Sequence, residues 1–390
     1  MTALGVDDIS TVIDAAELWL KQRDYAGIDP YDALGGRRVP AVVKGRKVLR
    51  QGVLQAAKRS PIDVRPALGV APRRIGKALG LIATGYAELH AAGWGGLAHE
   101  PALELLAWLG EARVPKNDAR AWGYEFDVQT RWAFYPAGTP NLIATTFIGN
   151  AFLDWHEQLG KEEHLSIALE GARYLRDRLL VDRAGDRHFA YVPGVRSLIH
   201  NANALGSAFV ARAGRASGDR GLIDLGRETS EATLRDQDAA GLWPYGEGRN
   251  LRWVDGFHTA YTLDGLYTLW QVSGDDRLLD RVRQGLAAYI ERLFVNGVLP
   301  RYSTGSIYPV DIHCASSAID LLTRLRSVDE RCRSLAEAVM SWTIANMWDP
   351  EGFFHYQKTR WYTNRIPYIR WSQAHMFKAM ARMLAAMAEQ

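Results

Sequence analysis

The chain has 390 residues, of which 47% are hydrophobic and 23% are charged, and its formal net charge at pH 7 is +3. This balance excludes a disordered or low-complexity protein, and no run approaches the roughly 18 apolar residues of a transmembrane helix. Two cysteines, Cys314 and Cys332, are too few for a disulfide framework or a four-thiolate zinc site. Asp7 and Asp8 stand where a signal peptide is basic, so we expect a cytoplasmic protein.

The near-neutral total hides a basic segment in residues 37–77. It contains twelve Lys and Arg residues against one acidic residue, Asp63. A segment of this kind can contact acidic lipids, phosphates or another polyanion, which predicts peripheral membrane contact through 37–77. The alternative is a partly irregular, solvated loop that pairs with the acidic remainder of the chain.

Further along the chain, an aromatic-rich turn recurs before helices that open with small residues. The turns are GYEF at 123–126, FAY at 189–191, LWPY at 242–245, LPRY at 299–302 and FFHY at 353–356. The helix starts that follow them, separated by 58, 58, 55 and 59 residues, are Leu142, His200, His258, His313 and Ser372. A repeat of this length indicates stacked helical hairpins.

Apolar residues at helical spacing predict twelve helices in two alternating sets. The first set is rich in Ala, Gly, Ser and Thr, as crowded packing allows, and covers 75–93, 141–159, 200–214, 257–273, 312–327 and 369–388. The second set is amphipathic and covers 9–22, 101–112, 164–181, 219–237, 275–294 and 329–347. Two such layers predict an all-α (α/α)6 toroid, in which six helical hairpins close into one domain over 1–390. An open helical solenoid with the same period is the alternative.

In a closed ring, the turns before the inner helices would form the rim of one cavity, which is the expected active site. His200, His258 and His313 occupy equivalent positions in the first helical turns. The helix dipole favours a neutral imidazole there, and a neutral imidazole can accept a proton near pH 7. Each histidine can also simply cap its helix or satisfy a loop carbonyl.

Carboxylates accompany these histidines. Asp255 and Asp311 lie just before His258 and His313, where either can act as an N-cap. Glu125 and Asp127 stand at no evident helix start, and two carboxylates facing each other across the cavity would suit glycoside hydrolysis. The candidate catalytic residues are His258, His200, His313, Tyr124, Asp127, Asp255 and Glu125.

Arginine repeatedly stands beside an aromatic residue in the rim turns. Aromatic faces suit sugar rings, and the guanidinium fork binds carboxylate or phosphate, so the pattern predicts an anionic carbohydrate. The same pairs can instead be structural cation–π contacts. The candidate substrate-binding residues are Arg131, Trp132, Tyr245, Trp253, Arg252, Asp311, Trp361, Arg370 and Trp371. The sequence has no phosphate-binding loop, dinucleotide fingerprint or nucleophile elbow, and we expect no cofactor, no metal ion and no nucleic acid.

Four segments resemble the VpsJ-like proteins of bacterial exopolysaccharide gene clusters: IDPYDAL at 28–34, DVRPALGV at 63–70, GYEFDVQTRW at 123–132 and WVDGFHTAYTLDGL at 253–266. The resemblance covers most of the chain and implies polysaccharide biosynthesis on a six-hairpin, glycosidase-like toroid. More distantly, the rim is similar to that of glucuronyl C5-epimerases and polysaccharide lyases. No catalytic residue of those enzymes is carried over to a position in this chain.

These observations leave three hypotheses. The first is proton transfer on an anionic, uronate-containing glycan, in the manner of a C5-epimerase or lyase. It would use the histidines and Tyr124 as acids and bases, and Arg131, Arg252 and Arg370 to hold the anion on a lipid-linked oligosaccharide or polysaccharide. The second is a glycoside hydrolase that pairs Glu125 or Asp127 with Asp255 or Asp311. The third is a glycan-binding protein without catalytic activity.

Overall fold

The computed structural model describes residues 5–116 and 119–389 and shows the predicted all-α architecture. In chain order, the α-helices of this part of the chain are α1 (Val6–Lys21), α2 (Ala41–Gly45), α3 (Lys47–Arg59), α4 (Arg65–Leu68), α5 (Gly76–Ala91), α6 (Gly95–Glu111), α7 (Leu142–Leu159), α8 (Glu162–Tyr174), α9 (His200–Ser217), α10 (Arg220–Arg235), α11 (Gly256–Ser273), α12 (Asp276–Arg292), α13 (Ile312–Arg324), α14 (Arg331–Met347) and α15 (Ala374–Ala388).

Six of these helices form a closed inner ring. α5, α7, α9, α11, α13 and α15 each pack against the next, and α15 also packs against α5. This last contact excludes the open solenoid. Helices α6, α8, α10, α12 and α14 each pack outside the inner helix that precedes them. The sixth outer position is filled by α1, which packs on α15, so the first and last helices of the ring form one hairpin.

The inner helices begin close to where the repeat predicts them. The observed starts of α7, α9, α11 and α13 lie within one residue of the predicted 141, 200, 257 and 312. The last predicted helix, 369–388, begins with a π-helical turn over Ile369–Gln373 before α15. Polar caps explain several starts; for example, the side chain of Asn141 accepts a hydrogen bond from the backbone N–H of Ala144 at 2.9 Å.

Short strands of two to four residues lie in the segments that lead from an outer helix to the next inner helix. They are β1 (Ala26–Gly27), β2 (Arg73–Arg74), β3 (Val114–Lys116), β4 (Ala119–Ala121), β5 (Val128–Gln129), β6 (Phe134–Tyr135), β7 (Leu180–Arg183), β8 (Asp186–Phe189), β9 (Phe294–Val295), β10 (Leu299–Pro300), β11 (Val310–Asp311), β12 (Trp348–Asp349), β13 (Phe353–Phe354), β14 (Gln357–Lys358) and β15 (Thr363–Asn364). All described pairings are antiparallel, and β11, β14 and β15 form a three-stranded sheet. These hairpins build the rim of the ring at the end where the inner helices start.

The basic segment 37–77 is more helical than expected, because it contains α2, α3 and α4. The inner face of α3 buries Leu54 and Ala57 against Ala33 and Leu34, in a small core separate from that of the ring. Its C-terminal end is tied to the rim, since the side chain of Asn364 donates to the backbone carbonyl of Ser60 at 2.9 Å. The segment therefore lies across the rim. None of the helices in the described residues is both long and apolar enough to span a bilayer.

Adjacent inner helices approach each other most closely at glycines. A Cβ added to Gly265 of α11 would lie 2.6 Å from the backbone carbonyl carbon of Ala204 in α9. Backbone atoms cannot move aside as the end of a flexible side chain can, so this contact requires glycine. In α3, by contrast, a Cβ added to Gly52 would meet no atom within 4 Å.

We predict that Gly265→Ala lowers the free energy of unfolding by about 1–3 kcal/mol, because overpacking outweighs the better helix propensity of alanine. Gly52→Ala is the matched control and should raise the free energy of unfolding by up to about 1 kcal/mol, through propensity alone. Urea denaturation of both variants and the unmodified protein measures the difference. Equal effects of the two substitutions would contradict the tight α9–α11 contact.

Candidate functional site

The inner helices start at one mouth of the ring, and two of them are capped there by aspartates. Asp255 caps α11, with its Oδ1 accepting a hydrogen bond from the backbone N–H of His258 at 2.9 Å. Asp311 caps α13 through the backbone N–H of His313 at 2.8 Å. Both carboxylates are buried. The caps therefore fix where these two imidazoles stand at the mouth.

The Asp255 cap also orients the ring of His258. Its Oδ2 accepts hydrogen bonds from Nδ1 of His258 at 2.6 Å and from the indole N–H of Trp253 at 3.0 Å. Because Nδ1 donates to the carboxylate, Nε2 of a neutral His258 carries the lone pair. The His258 side chain remains 23% exposed, whereas that of Asp255 is buried. This tautomer, orientation and accessibility are those of a general base.

His313 is buried and held on both ring nitrogens. Its Nδ1 donates to the backbone carbonyl of Trp371 at 3.0 Å, since a carbonyl can only accept, and its Nε2 accepts from the hydroxyl of Tyr261 at 2.7 Å. The indole of Trp371 stacks on His313 with 4.3 Å between ring centroids and donates to Asp311 at 2.9 Å. Burial, and then the charge of Lys77, lower the pKa of His313 well below its ordinary value, so this imidazole is neutral.

Tyr261 and His375 belong to the same cluster, although the sequence analysis did not select them. The ring of His375 lies 4.1 Å from that of His313, and its Nε2 lies 3.3 Å from the Tyr261 hydroxyl oxygen. Burial and the neighbouring His313 lower the pKa of His375 well below its ordinary value. The available signal was helical spacing, because Tyr261 follows His258 by three residues and His375 follows Ser372 by three.

Lys77, in the first turn of α5, also belongs to the site. The sequence analysis counted it only as part of the basic segment. Its side chain is 3% exposed, and its Nζ lies 4.2 Å from the centroid of the Phe147 ring. Among the described residues it has no salt-bridge partner within 4 Å. Burial, and then the nearby Arg370, lower the pKa of Lys77 well below its ordinary value. A buried amine without a counter-ion is a group that an anionic ligand would stabilise.

Glu125 and Asp127 have different surroundings. One carboxylate oxygen of Glu125 accepts from the backbone N–H of Gly76, at the start of α5, at 2.8 Å. The other oxygen is buried and has no hydrogen-bond partner in the part of the chain that the structure describes. Burial raises the pKa of Glu125 to about 7. Asp127 accepts from the backbone N–H of Ala137 at 2.9 Å and closes a turn of the rim. Glu125 thus has the protonation behaviour of an acid, while Asp127 is engaged in a loop contact.

Stacked aromatic rings form one wall of the mouth. Tyr245 and Trp253 stack with 4.4 Å between centroids, and the ring of Tyr245 lies 4.6 Å from that of His258. The guanidinium of Arg131 lies 4.9 Å from the centroid of Trp253. Trp132 is hydrogen-bonded to the hydroxyl of Tyr245. The structure therefore brings these four predicted substrate-binding residues together beside His258.

Tyr124 and Arg370 form a second wall. The guanidinium of Arg370 lies 5.0 Å from the centroid of the Tyr124 ring and makes two hydrogen bonds with Asp29, at 2.6 and 2.8 Å. Its charge is therefore already paired inside the protein. Burial, and then Tyr191, raise the pKa of Tyr124 well above its ordinary value, which keeps the hydroxyl protonated as a hydrogen-bond donor.

Three predicted residues lie apart from this cluster. Arg252 is exposed, and Trp361 is 83% exposed at the tip of the β14–β15 hairpin. His200 is buried, but its nearest carboxylate is that of Asp236, at the end of α10, at 3.6 Å. Burial lowers the pKa of His200 to about 4, so it is a neutral ring directed toward the outer layer. Among the described residues, no group of three or more His, Cys, Asp or Glu is placed to hold a metal ion.

The basic segment contributes a second side chain, that of Lys58, to the mouth. Nζ of Lys58, on α3, donates to the hydroxyl of Tyr31 at 2.9 Å and lies 5.2 Å from the centroid of Trp371. The pKa of Lys58 is raised, because Tyr31, Asp311 and Asp29 together outweigh the burial that would lower it. Helix α3 thus covers part of the mouth with a cation.

The opposite end of the ring holds a polar cavity of about 360 Å³ that extends to Phe147. Several of its charged side chains are paired with one another, such as Arg212 with Asp154 at 2.9 Å and Arg382 with Glu88 at 2.6 Å. Because these ion pairs already satisfy each other, their charges are not left free for a ligand. The accessible ring of His258, the buried amine of Lys77 and the buried Oε2 of Glu125 place the candidate site at the mouth instead.

Comparison with known proteins establishes the fold. The sequence matches no protein-family model and no curated protein. A cellobiose 2-epimerase from Bacillus thermoamylovorans is similar in structure, with a TM-score of 0.63 and 11% identity over 81% of this chain and 88% of that chain. An unsaturated glucuronyl hydrolase specific for heparin has a TM-score of 0.63 and 12% identity over 97% of both chains. A family 76 glycoside hydrolase (mannosidase) from Bacteroides thetaiotaomicron has a TM-score of 0.57 and 13% identity over 84% and 90%. At these identities the likeness shows a shared (α/α)6 toroid.

Proposed function

We propose that this protein is a glycan-modifying enzyme that moves a proton at a sugar carbon, as an epimerase or lyase does. The observation that carries the proposal is the Asp255–His258 pair, which lies near the neutral cluster of His313, His375 and Tyr261. A single ring, that of Phe257, lies 4.0 Å from His258 and 4.8 Å from His313, measured between centroids. The acid–base groups thus lie on two sides of the Phe257 ring at the mouth.

Each group has a role that its surroundings support. Nε2 of His258 accepts the proton from a carbon next to a carboxylate or carbonyl, and the C–H electron pair moves onto that group as an enolate. The hydroxyl of Tyr261 or Tyr124, held protonated by burial, stabilises or reprotonates the intermediate. Return of a proton to the other face of the carbon gives epimerisation, whereas departure of the neighbouring glycosidic oxygen gives elimination.

The substrate class we propose is an anionic saccharide. Lys77 is a buried amine with no counter-ion among the residues that the structure describes, and binding a uronate carboxylate would supply one. The stacked Tyr245 and Trp253 offer a flat apolar face to a sugar ring. The resemblance of the sequence to VpsJ-like proteins supports a polysaccharide of biosynthetic origin, and the neighbours named for epimerase and glucuronyl hydrolase activity support saccharide chemistry on this ring.

Hydrolysis with paired carboxylates is the second candidate, and one observation favours it. Glu125 has a pKa of about 7 and a buried oxygen without a partner, which suits a general acid. A second free carboxylate is harder to find, because Asp255 and Asp311 each cap a helix and accept an indole N–H. A hydrolase needs two such groups, so the proton-transfer mechanism accounts for more of the site.

We predict that the protein exchanges deuterium into the C5 position of uronate oligosaccharides in D2O. His258→Asn should reduce the exchange rate by about 10²–10⁴-fold, because the base is removed while the helix start is kept. Mass spectrometry and proton NMR measure the exchange and any unsaturated product. His200→Asn is the matched control and should exchange at the unmodified rate. Equal rates in the two variants would contradict the assignment of His258 as the base.

Glu125→Gln separates the two candidate reactions. The amide oxygen can still accept from Gly76, so the start of α5 is preserved. Under the proton-transfer mechanism the exchange rate should change by less than about tenfold. A hydrolase that used Glu125 as its acid would lose activity in this variant, and in the unmodified protein it would lose activity as the pH rises through about 7 and Glu125 deprotonates. Reducing-end assays between pH 5 and pH 9 measure hydrolysis directly.

Lys77→Met tests the anion-binding role. We expect KM for uronate oligosaccharides to rise by about 10–100-fold, as for loss of a charge-assisted hydrogen bond. The thermal midpoint should rise at the same time, because a buried unpaired amine is replaced by an apolar side chain of similar length. Lys161→Met, on the exposed turn before α8, is the control and should change neither quantity. A fall in stability without a change in KM would assign Lys77 to packing alone.

A further inference from the structure

Large apolar side chains are exposed mainly around the mouth of the ring. Of the eleven such side chains in the described residues, nine lie in the segments that precede inner helices, and the other two, Val6 and Leu18, are on α1. We call these nine the mouth surface: Val42, Val48, Leu49, Ile62, Phe134, Ile307, Tyr308, Trp361 and Tyr362. A cluster of exposed apolar residues at one end of a protein indicates a partner at that end.

Helix α3 carries much of this surface on its outer side. Leu54 and Ala57 are buried beneath it, whereas Val48 is 77% exposed and Ile62, just beyond the helix, is 73% exposed. The helix is therefore amphipathic with an additional apolar edge that no described part of the chain covers. An edge of this kind on a basic helix is typical of contact with a membrane interface.

The charge around this edge is strongly positive. Residues 37–62 contain eight Lys and Arg and no Asp or Glu. The exposed basic side chains of this stretch are Arg37, Arg38, Lys44, Arg46, Lys47 and Arg59. Such a stretch is complementary to anionic lipid headgroups, and each Lys or Arg near a membrane surface strengthens binding by a factor of about five.

The β14–β15 hairpin extends the same surface. The hydroxyl of Tyr362 donates to the backbone carbonyl of Arg59 at 3.0 Å, which fixes the hairpin against the C-terminal end of α3. At its tip, the exposed Trp361 lies beside Arg360, whose guanidinium is 5.0 Å from the ring centroid. Tryptophan and arginine side by side are suited to the boundary between lipid headgroups and acyl chains.

We propose that the mouth surface docks the protein on a bilayer that contains anionic lipids. A soluble acidic polysaccharide would pair with the basic side chains, but it would leave Val48 and Ile62 exposed to water. A bilayer accepts both, since headgroups pair with the cations while the aliphatic side chains and Trp361 enter the interface. Docking in this orientation turns the mouth toward the headgroups, where a lipid-linked glycan would stand.

Co-sedimentation with vesicles tests the proposal without reference to any enzyme activity. We expect the protein to sediment with vesicles of phosphatidylcholine and phosphatidylglycerol (7:3). With vesicles of phosphatidylcholine alone, it should stay in the supernatant. Lys44→Gln with Lys47→Gln should weaken binding by about 25-fold, at about fivefold for each charge. Ile62→Ser with Trp361→Ser should weaken it by at least about fivefold while leaving the charge unchanged.

Two control variants keep the test specific. Lys161→Gln removes an exposed charge from the outer layer, and Leu18→Ser removes an exposed leucine from α1; neither should alter binding. Circular dichroism establishes that each variant is folded. Failure of the unmodified protein to bind the anionic vesicles would overturn the proposal. Binding that is unaffected by Ile62→Ser with Trp361→Ser, yet abolished by soluble alginate, would assign the surface to a polyanion and equally overturn it.

Discussion

Closure of the inner ring is the constraint on which the rest of the structure depends. The closing contact joins α5 to α15, where a Cβ added to Gly85 would lie 2.8 Å from the ring of Phe377. This contact brings Lys77, near the start of α5, within electrostatic reach of Arg370, which precedes α15. Residues from opposite ends of the chain therefore share one mouth. In an open solenoid, the starts of the six helices would follow a superhelical path and would not surround a common mouth.

The helix starts at this mouth combine a structural and a chemical task. Asp255 satisfies the backbone N–H of His258 and, with its second oxygen, the ring N–H of the same residue. Asp311 satisfies the backbone N–H of His313 but leaves the imidazole to the carbonyl of Trp371. The two repeats thus each begin with an Asp cap followed by a His, three residues later in α11 and two residues later in α13, and they differ in how the ring is held. Capping and orientation are not competing explanations for Asp255, since one carboxylate does both.

The sequence predicted the features that depend on a repeated spacing or on residues close together in the chain. A repeat of 55–59 residues placed the inner helices, and spacing within WVDGFHTAYTL placed Asp255 beside His258. It could not reveal that Lys77 is buried without a counter-ion, because burial depends on the closing contact with α15. It also could not pair Arg370 with Asp29, which lies 341 residues earlier in the chain. Because Asp29 already pairs with Arg370, Arg370 can hold a substrate anion only alongside that carboxylate.

Two buried basic residues of the mouth, Arg370 and Lys77, differ in whether a carboxylate compensates them, and this difference separates support from function. Arg370 and Asp29 are both buried and form two short hydrogen bonds, an arrangement in which removing either partner costs about 3–5 kcal/mol. Such a pair holds the segment before the basic helices against the start of α15. Within residues 5–116 and 119–389, Lys77 has no equivalent partner, and burial lowers its pKa. A packing role needs no amine at that position, since an apolar side chain would fill the space without desolvating a charge. The amine becomes favourable only when an anion enters the mouth, and on that ground Lys77 belongs to the binding site instead of the scaffold.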